Sequence, residues 1–116
     1  MSMTQTYHLN ADQQEITIEQ QSPFKRLRLI KAQSNRPVSS HPLAGLNLNL
    51  QNNRYSYHLY SFPSPSDSRL FASTNLLEQA ARLPHLLKEG VFKLIIRPEL
   101  FILDQQTEVV IEMEIL

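Results

Sequence analysis

The sequence contains no cysteine, which excludes disulfides, thiolate zinc sites, iron–sulfur clusters and cysteine nucleophiles. Glycine is nearly as scarce, with only Gly45 and Gly90 present. Phosphate-cradling loops need several glycines so that backbone amides can approach the anion, and neither residue sits in such a loop. Long apolar runs are missing too. None approaches the ~20 residues that span a bilayer, so no membrane partner is expected. Residues 1–14 are polar and lack the apolar stretch of a signal peptide. A cytoplasmic location is the expectation, and a viral or plasmid origin fits the composition as well as a chromosomal one. Net charge is absent: Lys and Arg number 11, and so do Asp and Glu. A zero total exerts no long-range pull toward DNA or an anionic membrane. It also lowers the colloidal repulsion that keeps copies of a protein apart.

What is present suits a folded domain. The chain has 116 residues, the size of one domain with little room for a second. Apolar residues make up 41%, enough for a core, while charged residues make up 19%, below the roughly 25% usual in soluble domains. Gln, Asn and Ser fill the difference, so the chain is not a charged disordered tail.

Patterning predicts strands. Residues 1–14 are expected to form a flexible N-terminal arm, followed by a single β-rich domain over 15–116. Residues 15–19 alternate, with Ile16 and Ile18 inward, and 25–31 form a second strand with Leu27 and Leu29 opposite Arg26 and Arg28. Residues 32–42 are a loop. Leu46-Asn47-Leu48-Asn49-Leu50 and Tyr55-Ser56-Tyr57-His58-Leu59 alternate strictly around Gln51-Asn52-Asn53-Arg54, which predicts a β-hairpin. Its core side is expected to carry the three leucines with Tyr55, Tyr57 and Leu59, and its turn to exploit the tolerance of Asn for left-handed backbone. Residues 75–89 form the one helix, capped by Asn75 with Glu78 three residues on, interrupted at Pro84 and ending at Gly90. Residues 91–96 predict a central strand buried on both faces, 100–103 a further strand, and 109–115 a last one. The fold class is mainly β, with α+β as the alternative. An antiparallel sheet or β-sandwich of about six to seven strands would carry the helix.

Charge is segregated along the chain. Between residues 20 and 66 the charges are Lys25, Arg26, Arg28, Lys31, Arg36 and Arg54, all basic. Between 98 and 116 they are Glu99, Asp104, Glu108, Glu112 and Glu114, all acidic. Three readings fit: cross-strand pairing of Arg26 and Arg28 with Glu112 and Glu114, head-to-tail assembly of a bipolar domain, or a basic strand holding nucleic-acid phosphates. The turn and strand carrying Arg54, Tyr55, Tyr57 and His58 resemble the basic and aromatic mixture of single-strand binders, although Tyr60 and Phe62 fall on the opposite side from Tyr55 and Tyr57. His8, His41, His58 and His85 lack metal-pair spacing, and no serine occupies a nucleophile elbow. Glu112 and Glu114 share one strand face, as acid–base carboxylates in a cleft or as charges guarding an edge. The last strand is either an open edge or an inner strand.

The sequence thus implies no catalytic residue, no metal and no cofactor. The expectation is a non-enzymatic interaction or assembly protein, acting as a homo-oligomer or as a subunit of a larger complex. Its interaction residues would be Arg26, Arg28, Arg54, Tyr55, Tyr57, His58, Glu112 and Glu114. A module binding single-stranded nucleic acid or a small ligand is the alternative.

Overall fold

The computed structural model describes residues 4–21, 26–38, 41–80 and 90–116. Strands run β1 (Thr4–Leu9), β2 (Ile16–Gln21), β3 (Leu27–Ser34), β4 (Gly45–Gln51), β5 (Ser56–Ser61), β6 (Leu70–Phe71), β7 (Thr74–Asn75), β8 (Val91–Glu99) and β9 (Val109–Ile115). The short helix α1 (Leu76–Ala80) follows β7. One sheet has the order β1-β9-β3-β6, with β7 also pairing β3; the other has the order β2-β8-β4-β5. Every pairing is antiparallel. With β6 and β7 counted as halves of one strand, this is the order of two interlocked Greek keys, a jelly-roll sandwich.

Period-two patterning explains the layers. Leu9, Leu27, Leu29, Val109, Ile111 and Met113 project from the first sheet into one buried cluster. Ile16, Leu46, Leu48, Leu50, Phe92, Leu94 and Ile96 meet them from the second. The outer faces carry the alternate, mostly polar residues. A bulge between Leu29 and Lys31 leaves Ile30 outside the ladder and exposed, yet keeps Ala32 in the core opposite Ile111.

The hairpin forms with the predicted alternation, pairing Leu50 with Tyr57 and Leu46 with Ser61. Its turn works differently. Asn52 Oδ1 accepts the N–H groups of Arg54 and Tyr55 at 2.9 and 2.8 Å, and Asn52 N donates to Tyr55 O at 2.9 Å. Side-chain acceptance, with no left-handed residue, closes the loop. Tyr57 and Leu59 reach the core edge, but Tyr55 belongs to the turn and is exposed. Asn75 caps α1 as expected, its Oδ1 accepting the Glu78 N–H at 3.1 Å. The rest of the predicted helix, with Pro84 and His85, lies outside the described residues. Gly90 has the left-handed φ of 83°.

Three expectations are corrected. Residues 4–9 are strand β1, paired along their length with β9, and not an arm. Gln5, Tyr7 and Leu9 alternate with Thr4, Thr6 and His8; most of these side chains are polar, which disguised the pattern. Strand β8 is central but buried on one face only, since Val91, Lys93 and Arg97 are exposed. Residues 100–103 are not a strand. Leu100 adopts φ 60°, a left-handed conformation costing about 1 kcal/mol for a branched side chain, and it turns the chain away from β8. Leu103 then enters the core while Ile102 is 85% exposed. Of the two places left open for the last strand, β9 takes the inner one, between β1 and β3.

Candidate interaction surface

The predicted residues fall into two groups on different sheets. Arg26, Arg28, Glu112 and Glu114 lie on the outer face of the β1-β9-β3 sheet. Arg28 stands opposite Glu114, and Lys31 opposite Glu112. The Glu114 side chain is only 5% exposed. It accepts from Arg28 Nε at 2.8 Å and from Arg28 Nη2, and Arg26 Nη1 lies 3.6 Å away. The ladder continues past β3 through reciprocal Arg26–Leu116 backbone bonds of 3.0 and 2.9 Å. The basic and acidic segments are therefore brought side by side within one sheet. Cross-strand pairing accounts for Arg26, Arg28 and Glu114.

The second group splits. Arg54 and Tyr55 occupy the exposed turn, Tyr57 points inward, and His58 points outward from β5. The aromatic and basic side chains do not converge on one platform. The outer face instead shows an arrangement absent from the predicted set. His58 Nδ1 donates to Asn47 Oδ1 at 3.2 Å, and Asn47 Nδ2 donates to Glu99 Oε2 at 3.0 Å. Glu99 fixes the orientation of the Asn47 amide, and the oxygen of that amide in turn accepts from the imidazole Nδ1. Asn47 is 2% exposed although it lies on an outer face. At the end of β5 and just past it, Tyr60 and Phe62 stack with ring centroids 6.3 Å apart and planes 17° from parallel. They are 49% and 43% exposed.

Two features of the sequence create this surface. Gly45 lies beneath Phe62: a Cβ there would stand 3.2 Å from Phe62 Cδ1 and 2.6 Å from Ser61 O. Only a missing side chain lets the ring lie down on the sheet. Ser56, His58 and Tyr60 then share the outer face of an edge strand that has no charge and no proline. By register, Ser56, His58 and Tyr60 have the opposite parity to the Asn52–Tyr55 bonded pair, so their N–H and C=O groups turn away from β4. Sequence patterning located Tyr60 and Phe62 on one side, but nothing in it revealed that β5 ends the sheet.

Displaced pKa values lie away from this surface. Burial raises Tyr7. Asp67 is lowered by its hydrogen bond with Arg69, and Asp104 is lowered chiefly by the Thr107 hydroxyl and then by the Gln106 N–H. Among the described residues, no three His, Asp or Glu side chains are grouped so as to hold a metal ion. No described helix is long and apolar enough to cross a membrane. Compared with protein-family models, with curated proteins and with solved structures, the chain matches none.

Proposed function

We propose that the protein is a non-enzymatic assembly subunit that joins other subunits through the β5 edge of its sandwich. The carrying observation is the edge itself: six residues with no formal charge, flanked by the exposed Tyr60–Phe62 stack. Edge strands are normally protected by charges, proline, bulges or shortness. Here β2 at the other end of the same sheet carries Glu19, within 3.7 Å of Lys93, and β6 and β7 are two residues each. Strand β1 also has no Asp, Glu, Lys or Arg, but its exposed side chains are Thr4, Gln5, Thr6 and His8, without an exposed Tyr or Phe. Exposed rings beside the outward backbone groups of Ser56, His58 and Tyr60, which pair with no strand among the described residues, are the ingredients of a protein interface; past them Phe62 O already accepts the Ala72 N–H at 3.0 Å. Jelly-roll folds serve shells, lectins and enzymes alike, so the fold adds no weight and the edge supports the reading by itself.

The junction is apolar and backbone-mediated, so assembly should survive high salt. Size-exclusion chromatography with light scattering at low and high salt tests this. The expected result is a defined oligomer, or a defined complex with a purified partner, in both conditions. Tyr60→Lys with Phe62→Ser should disperse it while the circular dichroism spectrum and melting temperature hold. An oligomer indifferent to that double substitution would refute the assignment to β5.

A further inference from the structure

We infer that the occupant of the β5 edge is a second copy of this chain, paired antiparallel across a two-fold axis at His58, which joins two four-stranded sheets into one of eight. This rests on the assembly reading above and specifies its partner and register.

Strand β5 is self-complementary about His58. The outward-facing backbone groups belong to Ser56, His58 and Tyr60. Setting His58 against the second copy's His58 sets Ser56 against Tyr60 and Tyr60 against Ser56. Each of these three pairs exchanges two backbone hydrogen bonds, as bonded pairs of an antiparallel ladder do. No outward group of these residues is left over. A junction moved by one residue along either strand would oppose outward groups to inward ones, and a junction centred elsewhere would use fewer pairs. Side chains agree with this register. On the core side, Tyr57 of each copy meets Leu59 of the other, both half-buried beside the core and short of cover at the open edge. On the outer side, Tyr60 meets the small Ser56. The junction stops at Tyr60, because Phe62 O already accepts the Ala72 N–H at 3.0 Å, so the turn carrying Arg54 of one copy lies past the paired residues of the other. Like charges do not oppose one another, since β5 carries no Asp, Glu, Lys or Arg. A two-fold junction consumes both edges, which limits it to a dimer through this strand.

The absence of native cysteine makes the test clean. In a bonded antiparallel pair the Cα atoms lie about 5.5 Å apart, inside the range a disulfide spans. His58→Cys should therefore give a covalent dimer under mild oxidation at low protein concentration. Ser56→Cys should not, because its own counterpart lies four residues away, about 13 Å. Ser56→Cys combined with Tyr60→Cys should cross-link again. Thr6→Cys on β1 is the control for the other uncharged edge. A wild-type oligomer in which His58→Cys cross-links no faster than Ser56→Cys, or in which Thr6→Cys cross-links instead, overturns the two-fold junction and leaves assembly standing. A wild-type monomer at about 100 µM, with no variant cross-linking faster than the others, overturns both.

Discussion

Replacing Gly45 with alanine tests how tightly the outer surface of the β4–β5 hairpin is built. The added Cβ would stand 2.6 Å from Ser61 O and 3.2 Å from Phe62 Cδ1. The nearer atom belongs to the backbone of β5, one residue along from the Gly45 position and held by the Leu46–Ser61 pair, so a rotamer change cannot clear it. The strands must separate by about 0.5 Å or more, at an overpacking cost of about 1–3 kcal/mol. Gly45 does not have a left-handed φ, so alanine also removes unfolded-state freedom, which returns about 0.4–1 kcal/mol. The net expectation is a loss of about 1–2 kcal/mol. With an m-value of about 1.5 kcal/mol/M, the urea midpoint should fall by about 1 M at unchanged slope. Adding Phe62→Ala removes only the longer contact, so most of the loss should persist in that background. A midpoint equal to or above the wild type would refute the close strand approach. A penalty that vanishes with Phe62→Ala would show that the ring, not the Ser61 carbonyl, sets the limit.

Further outcomes follow from the other sheet and the loops. Arg28→Met should cost more than Glu114→Gln, about 2 against about 1 kcal/mol, because the first takes from a buried carboxylate its bidentate partner and leaves the more distant Arg26 at 3.6 Å, while the second leaves half-exposed arginines that water can serve; equal urea midpoints would contradict this. Asn75→Ala should cost about 1 kcal/mol through the lost bond to Glu78 N–H, with Asn75→Asp close to neutral. Asp104 is held below its ordinary value of 3.8, so its ionised form favours the folded state at higher pH, and that contribution is lost as pH falls through the folded value. Thr107→Val should move the Asp104 carboxyl back up in an NMR titration; an unmoved midpoint would remove the hydroxyl as the cause.

The strands with strict apolar alternation were legible because burial on one face leaves a period of two. Leu46, Leu48 and Leu50, and Val109, Ile111 and Met113, show it plainly. Strand β1 escaped because its inward positions include Gln5 and the half-buried Tyr7, so pairing with β9 rather than hydrophobicity makes it a strand. Residues 100–103 misled in the reverse direction: they are apolar, but the left-handed Leu100 breaks the ladder and only Leu103 is buried. The ion pairs of Glu114 were foreseen as one of three readings. The β5 edge was not, because strand order is a property of the whole chain. Asn47 looked like an ordinary outward polar residue, and only its neighbours His58 and Glu99 show that it is enclosed and paired.

The inner place of β9 also bears on the making of the molecule. A ribosome that has produced residues 1–108 has produced β1 and β3 but not the strand that separates them. Leu9 and Leu29 then have no Val109 or Met113 beside them, and the ladder between residues about a hundred positions apart cannot begin. The first sheet is therefore closed by residues 109–115, which enter between two strands already made. A nascent chain stalled before residue 109 leaves Leu9, Leu27 and Leu29 without their β9 neighbours, a state that chaperones and proteases recognise, so the position of one strand delays closure of the sandwich until residue 115 has been made.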